Sequence, residues 1–389
     1  MLSSSTSSGG PVSAELKLPT GPVGRWTGRG SAFRPPNPHE VVHTEADWEQ
    51  VAGDADFLAA HGLLDRSASS GAAKLRTTVE GDQSQSIVTR NDSPDISFRW
   101  SVNPYRGCEH GCAYCYARRT HEFLGMDAGL GFETRIVAKT TAPELLRRWL
   151  ARPRWRPEPI AFSGVTDCYQ PLESRLEITR GCLAVVAECR QPVGIVTKNA
   201  LVTRDIDLLS ELARHKAVVV AVSVTTLDEK LARKMEPRTS TPTARLEAIA
   251  ELNAAGIPTH AMVAPVIPGL NDHEVPQLLS AVRDAGARSA SYTLLRLAGS
   301  VRDVFIEWLR RCEPDRAPKV EALIHGARGG RWNDSRFGHR MAGSGAYAGQ
   351  IARTFRVFAN REGLERSHEP LNCAAFRPPS AERQLSLFS

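Results

Sequence analysis

Between Ala217 and Val224 the chain reads Ala-Val-Val-Val-Ala-Val-Ser-Val, eight residues almost unbroken by polar side chains. β-Branched runs of this kind suit a strand buried on both faces, which is the situation inside a parallel sheet. Five more candidate strands flank it: Ser97 to Asn103, Pro159 to Ser163, Val193 to Thr197, Pro258 to Ala264 and Ser289 to Leu295. Helical periodicity fills the intervals. It predicts helices over Ala142 to Leu150, Thr179 to Arg190, Asp205 to Arg214, Pro242 to Ala255 and Val275 to Ala285, with Gly256 and Gly286 as stops. Six strand-then-helix units in a row predict an α/β fold, a partial (β/α)6 barrel of the TIM type with right-handed crossovers. In such a barrel the chemistry sits on the loops at the C-terminal ends of the strands.

The barrel is expected over residues 86–300, followed by a helical extension over 301–376 and a tail over 377–389. Residues 1–75 read as weakly ordered, because Ser, Gly and Pro cluster there and Arg34-Pro35-Pro36-Asn37-Pro38 excludes regular structure. One helical island is expected inside that segment, from Glu45 to Leu64. No run of eighteen apolar residues occurs, so no membrane helix is expected. Met1 to Gly10 lacks the basic start and apolar stretch of a signal peptide. A cytoplasmic, reducing location is therefore expected, and the eight Cys read as thiols or metal ligands rather than as a disulfide frame.

Three of those cysteines carry the chemistry. The loop after the first strand is Asn103-Pro104-Tyr105-Arg106-Gly107-Cys108-Glu109-His110-Gly111-Cys112-Ala113-Tyr114-Cys115-Tyr116. Its spacing, C-x3-C-x2-C, puts three thiolates on one tight turn, each able to bind one iron of a cubane. Three ligands for four irons leave one iron open, as a catalytic centre requires. Gly107 and Gly111 let the backbone turn around it. The rival is a zinc site completed by His110 or His121. Zinc sites usually pair two knuckles, and no second knuckle is present.

This motif resembles the signature of the radical S-adenosylmethionine (SAM) superfamily. The resemblance implies a [4Fe–4S] cluster on Cys108, Cys112 and Cys115, with SAM on the open iron. Reductive cleavage of SAM then gives a 5′-deoxyadenosyl radical that abstracts hydrogen from substrate. It also implies an electron donor such as flavodoxin or ferredoxin, and places Tyr114 beside the adenine. By the same analogy Ser163, Gly164, Thr166 and Asp167 meet the amino group of SAM. Lys198 and Ser223 face its carboxylate or ribose, and Val263 and Val266 back the adenine. Glu236-Pro237-Arg238 shapes the cleft without an assigned role.

A narrower resemblance covers Ser86 to Phe376. Arg90 to Ile96, Asn103 to Cys108, Gly194 to Lys198, Val222 to Asp228 and Met262 to Asp272 are similar to a subgroup related to spore photoproduct lyase, which repairs a thymine dimer in DNA. Relatives usually have Asn at Val165 and Pro at Cys168. The thiol of Cys168 at the barrel mouth is a candidate hydrogen-atom donor, although the lyase cysteine aligns nearer Gly164; a passive small residue is the alternative.

Two further stretches bear on partners. Arg147 to Arg156 mixes five Arg with two Trp, types that contact phosphates and stack on bases. The plainer reading, which we take, is an amphipathic helix end and a solvated basic loop. The chain closes on Gln384-Leu385-Ser386-Leu387-Phe388-Ser389. Gln384 to Phe388 matches the pentapeptide by which bacterial polymerases and repair proteins dock on the replication sliding clamp. A formal charge of +6 favours a polyanion without establishing one. The sequence-level expectation is a radical SAM enzyme, lyase-like and probing DNA as substrate. RNA or peptide modification is the first alternative, and a metal-binding adaptor at the clamp the second.

Overall fold

The computed structural model describes residues 28–39, 64–65, 74–364 and 369–379. Six parallel strands form the central sheet. They are β1 (Trp100–Val102), β2 (Ile160–Phe162), β3 (Val193–Thr197), β4 (Val218–Ser223), β5 (Thr259–Val266) and β6 (Ser289–Leu294). They lie side by side in chain order, and Val88–Arg90 adds an antiparallel edge strand next to β1. Every expected strand is present; β3 matches at both ends, β1 starts three residues later than expected, and the others differ by a residue or two at their ends.

The crossovers are helical: α1 (Ala142–Leu150), α2 (Ile178–Cys189), α3 (Ile206–Arg214), α4 (Pro242–Ala254) and α5 (Val275–Asp284). α4 starts as its sequence dictates. Thr241 Oγ1 accepts the Ala244 amide at 3.2 Å, and Pro242 opens the first turn where no amide is needed. Three more helices follow β6: α6 (Ser300–Cys312), α7 (Ala317–Gly326) and α8 (Gly345–Arg361). α8 packs on α5, α7 and β6. No helix among the described residues is long and apolar enough to cross a membrane.

The two faces of the sheet do different work. Val218, Val220 and Val222 on β4 join Leu209, Leu212, Ile249 and Leu252 in one buried core against the helices. Val219, Ala221 and Ser223 point to the other, concave face, as the period of two requires. The same parity on β5 sends Ala261 and Val263 to the helices. Met262 therefore falls on the concave face, opposite Ser223 and Ser291 of the neighbouring strands.

Residues 28–39 lie inside the segment whose composition reads as weakly ordered, and here the structure differs. Ser31 and Phe33 are buried, and Asn37 donates to the carbonyl of Glu122 at 2.9 Å. Tertiary hydrogen bonds hold this stretch although its own residues favour no helix or strand. The helical island of Glu45 to Leu64 lies outside the described residues except for Leu64, which pairs as a strand with Leu75. The tail from Gln384 to Phe388 lies outside them entirely.

Ile249→Ala should lower unfolding stability by about 2–5 kcal/mol, the usual cost of truncating a fully buried side chain. Met262→Ala, on the half-open concave face, should cost clearly less in the same denaturant titration. Equal losses would contradict the assignment of the two faces.

Candidate active site

The loop between β1 and the next helical turn holds Cys108, Cys112 and Cys115. Gly107 and Gly111 take positive φ angles of 77° and 67°. A Cβ at Gly107 would stand 2.9 Å from the carbonyl oxygen of Arg135, and one at Gly111 2.9 Å from Glu133 Oε2. Both positions thus exclude side chains by conformation and by space. The Cys108 amide donates to Phe132 O at 2.9 Å, and the Ala113 amide to Met235 O at 3.0 Å.

A buried arginine fixes the rest of the loop. Arg118 donates to Cys112 O from Nε at 3.0 Å and from Nη2 at 2.9 Å, and from Nη1 to the carbonyls of Ala128 and Gly129. Its charge is met by Glu133, 2.6 Å away, and both side chains are fully buried. Glu133 in turn accepts the amides of Gly30 and Ser31 at 3.0 and 2.8 Å. Residues 28–31 are thereby strapped over the loop, so tightly that a Cβ on Gly30 would lie 1.7 Å from Gly111 O.

All three thiols are free, Cys108 and Cys112 buried and Cys115 partly so. Burial pushes each above the usual thiol range, and for Cys108 the Asp167 carboxylate and the other two sulfurs push the same way. Thiols held in this way ionise readily only when a cation takes the charge, so the donor set fits an iron–sulfur cluster. The histidines of the zinc alternative are otherwise engaged. His121 Nε2 lies 2.9 Å from Arg135 O. His110 sits 3.4 Å from Asp167 and 3.4 Å from Asn199, and burial lowers its pKa to about 4. Among the described residues no three His, Cys, Asp or Glu side chains converge as a single metal ion requires. A cubane takes each thiolate on a different iron and does not need that convergence.

Beside the loop the strand ends assemble a polar cluster. Lys198, just past β3, donates to Thr225 Oγ1 and to Ala264 O, each at 3.0 Å. Its ammonium lies 3.3 Å from Glu236 and 5.6 Å from the centre of the Tyr114 ring. Burial, helped by Arg245, lowers the Lys198 pKa to about 7. Tyr114 and Arg245 both hydrogen-bond Glu236, whose acidity burial weakens. Sequence reasoning left Glu236 without a role. Its only local signal was a Glu-Pro-Arg turn after a short helix, Glu229–Met235, and the partner that ties it to the cysteine loop, Tyr114, lies far off in the chain. Arg238 of the same turn pairs with Glu109 at 3.0 Å and so braces the cysteine loop.

Asp167 joins three loops. It accepts Thr197 Oγ1 at 2.8 Å, the Lys198 amide at 2.8 Å and the Tyr169 amide at 2.9 Å, and faces His110. Ser163, at φ 69°, accepts the Cys168 amide at 2.8 Å. Thr166 Oγ1 donates to Tyr105 O at 2.7 Å, and Gly164 O accepts the Tyr116 hydroxyl at 3.0 Å. Ser223 lies on the concave face and its carbonyl accepts Arg245 at 3.1 Å. Tyr114, Lys198, Asp167 and Ser223 are thus brought to one end of the sheet with the cysteine loop.

Three expected residues point elsewhere. Val263 and Val266 are packed in the helix-side core: Val263 because β5 alternates and Met262 takes the concave side, and Val266 because a register shift between the two breaks that alternation. Cys168 is fully buried in that same core with Tyr105, Tyr169 and Ile178, and burial pushes its thiol up. That position favours packing over hydrogen donation. The indoles of the Arg/Trp segment are spent on structure: Trp149 and Trp155 lie 4.2 Å apart and both contact Trp100. They gather where β1 begins, at the opposite end of that strand from the cysteine loop.

Glu133→Gln and Arg118→Met each leave one charge buried without its partner, so each should destabilise by about 3–5 kcal/mol in denaturant unfolding. The double variant should recover a large part of the loss. Additive losses would show that the two side chains act independently.

The Radical SAM superfamily model matches residues 102–282. An uncharacterised protein of Mycobacterium tuberculosis is 42% identical over 230 residues, spanning 59% of this chain and 68% of the relative. A radical SAM Nalpha-GlyT isomerase of Pseudomonas phage M6 is 28% identical over 174 residues, covering 44% of this chain and 34% of that protein. Spore photoproduct lyase complexed with dinucleoside spore photoproduct shares the fold, with a TM-score of 0.53 and 15% identity over 74% of this chain and 80% of the lyase. The family match begins at the end of β1 and runs into α5, so it spans the cysteine loop and the polar cluster beside it, and the chain belongs to the radical SAM superfamily.

Proposed function

We propose that Cys108, Cys112 and Cys115 hold the [4Fe–4S] cluster of a radical SAM enzyme that acts on DNA, in a photoproduct-lyase-like repair or a related base modification. Superfamily membership implies both cofactors, SAM and the cluster. The observation that carries the reading is the loop of three free thiols, fixed by Arg118 and set beside Tyr114 and Lys198 at the C-terminal ends of the strands. When bound, the cluster and SAM supply a 5′-deoxyadenosyl radical.

The chain's own residues bind and orient. Lys198 offers a cation to the SAM carboxylate, and Glu236 and Thr225 hold its ammonium in place. Tyr114, tethered by Glu236, presents its ring to the adenine. The Ser163–Asp167 loop receives the amino group, its shape kept by the hydrogen bonds of Ser163, Gly164, Thr166 and Asp167. Ser223 faces the ribose, and on β5 the concave-face residue Met262, rather than Val263 or Val266, backs the adenine. An external donor such as flavodoxin or ferredoxin supplies the electron.

DNA as substrate draws support from the fold-sharing lyase, whose solved structure is complexed with dinucleoside spore photoproduct. Docking of Gln384–Phe388 on the sliding clamp belongs to the same reading and rests on the tail sequence alone.

Anaerobic reconstitution tests the whole. Brown protein that yields 5′-deoxyadenosine from SAM and reductant supports it, and irradiated against undamaged DNA tests the substrate. A colourless zinc protein that leaves SAM intact would sink it. Cys108→Ala, Cys112→Ala and Cys115→Ala should each lose the cluster's visible absorbance and most bound iron. Cys168→Ala should leave the product unchanged and alter stability only.

The Lys198 pKa of about 7 gives a pH signature. The SAM carboxylate is anionic throughout, whereas Lys198 is charged only below its pKa. SAM affinity should therefore fall as pH rises through about 7, and Lys198→Met should bind weakly and without that step. A wild-type affinity flat from pH 6 to 8 would remove Lys198 from the carboxylate site.

A further inference from the structure

A six-stranded sheet does not close, and the gap between β6 and the Val88–Arg90 edge strand is bridged by the stretch between α7 and α8. Met341 O accepts the Leu294 amide at 2.9 Å, which ties this stretch to the end of β6. On the other side Arg340 pairs with Asp95 at 2.5 Å, and the Gly338 amide donates to the same carboxylate at 2.8 Å. The bridge therefore lies along the open seam at the mouth of the site.

Its charges do not balance. Arg340 is met by Asp95. Arg328 is buried and spends its guanidinium on four carbonyls: those of Leu294, Leu295, His339 and Arg340. Arg296, two residues past β6, has no carboxylate partner among the described residues. Its one hydrogen bond there is a weak one to Met341 Sδ at 3.7 Å, and its Nε is buried with nothing to donate to. Burial and the neighbouring Arg340 disfavour its charge, and Tyr116 and the Asp95 carboxylate that Arg340 already engages offset only part of this from a distance. An arginine keeps its proton, so a bound anion would meet the remainder.

The guanidinium carbon of Arg296 lies 5.9 Å from the ring centre of Tyr116, the residue after Cys115. Tyr116 is pinned through its hydroxyl to Gly164 O and is still 51% exposed. A second such pair lies on the bridge: Phe337 is 59% exposed with Arg340 4.7 Å from its ring centre. Exposed flat rings beside forked cations are what a nucleic-acid strand with splayed bases requires, stacking on one and neutralising the other.

We propose that Arg296 binds a backbone phosphodiester of the DNA substrate, with Tyr116 as the platform for the adjoining base. The proposal rests on the DNA reading above and adds the subsite to it. The phosphate replaces water on a guanidinium already in position, and the base is presented directly beside the cysteine loop. A side chain this committed by its surroundings gains specificity from its planar fork, so lysine is an imperfect substitute.

The test uses the full-length, anaerobically reconstituted protein, titrated into a short fluorescein-labelled oligothymidylate over a series of salt concentrations, and separately with SAM. Arg296→Gln should weaken oligonucleotide binding about tenfold and reduce the salt slope by about 0.7, the loss of one phosphate contact. SAM affinity should not change. Arg296→Lys should restore the slope and only part of the affinity. Tyr116→Leu, which stands as the test should Arg296→Gln fail to fold, should weaken binding with the slope unchanged. Unaltered oligonucleotide binding in Arg296→Gln, or unaltered binding in Tyr116→Leu, overturns the subsite while leaving the DNA reading in place. An equal loss of SAM affinity in Arg296→Gln also overturns it, by giving the arginine to the SAM carboxylate. Wild-type protein that cleaves SAM but binds no oligonucleotide overturns the subsite and the DNA reading together.

Discussion

The ion pair between Arg118 and Glu133 lies at the centre of the cysteine loop's architecture. Both charges are fully buried, 2.6 Å apart, and each is also hydrogen-bonded to main chain. A buried pair alone adds little to stability, since desolvation offsets attraction. What it supplies here is position. Arg118 gathers the carbonyls of Cys112, Ala128 and Gly129 to one point, and Glu133 gathers the amides of Gly30 and Ser31 to the same point. A loop of short polar residues and two glycines would otherwise have many conformations. Fixed in this way, it can present three sulfurs without the metal having to organise them first.

The sheet divides labour by parity. Alternate residues of β4 and β5 form the helix-side core, and the intervening ones face the site. This frees the concave side for polar groups, provided that each finds a partner. Lys198, Thr225, Glu236, Arg245 and Tyr114 satisfy one another in that way. The arrangement holds a lysine whose charge is poised near neutrality and a carboxylate less acidic than usual. Such a cluster can adjust its protonation when a zwitterion with one carboxylate enters beside it.

Local pattern sufficed for the strands, the five crossover helices and the cysteine loop, because period and spacing are properties of neighbouring residues. Where the reading from sequence stopped short, the reason was distance along the chain. The strap at 28–31 is held by a glutamate about a hundred residues away, and no property of Gly30 or Ser31 announces it. Glu236 draws its role from Tyr114, itself more than a hundred residues distant. Analogy with the superfamily put Val263 towards the adenine, and an unbroken apolar strand could not correct it, since it does not reveal which parity faces inward; the registry with Ser223 and Ser291 through Met262 does. The two tryptophans of the basic segment were legible as to type and not as to partner, since Trp100, which they cover, belongs to another element.

The seam poses a separate physical problem. A partial barrel has an open side, and an unclosed sheet exposes backbone donors and acceptors there. The chain covers part of β6 with the Met341 carbonyl and spans the gap through Arg340 and Asp95. A salt bridge across an opening is a weak latch when exposed, but Arg340 and Asp95 are both largely shielded, at 16% and 11% exposure. The opening is thus set by side chains of two distant segments rather than by the sheet itself. Loop composition between α7 and α8 can then change what enters without disturbing the cysteine loop, which is anchored independently through Arg118 and Glu133 on the other side of the mouth.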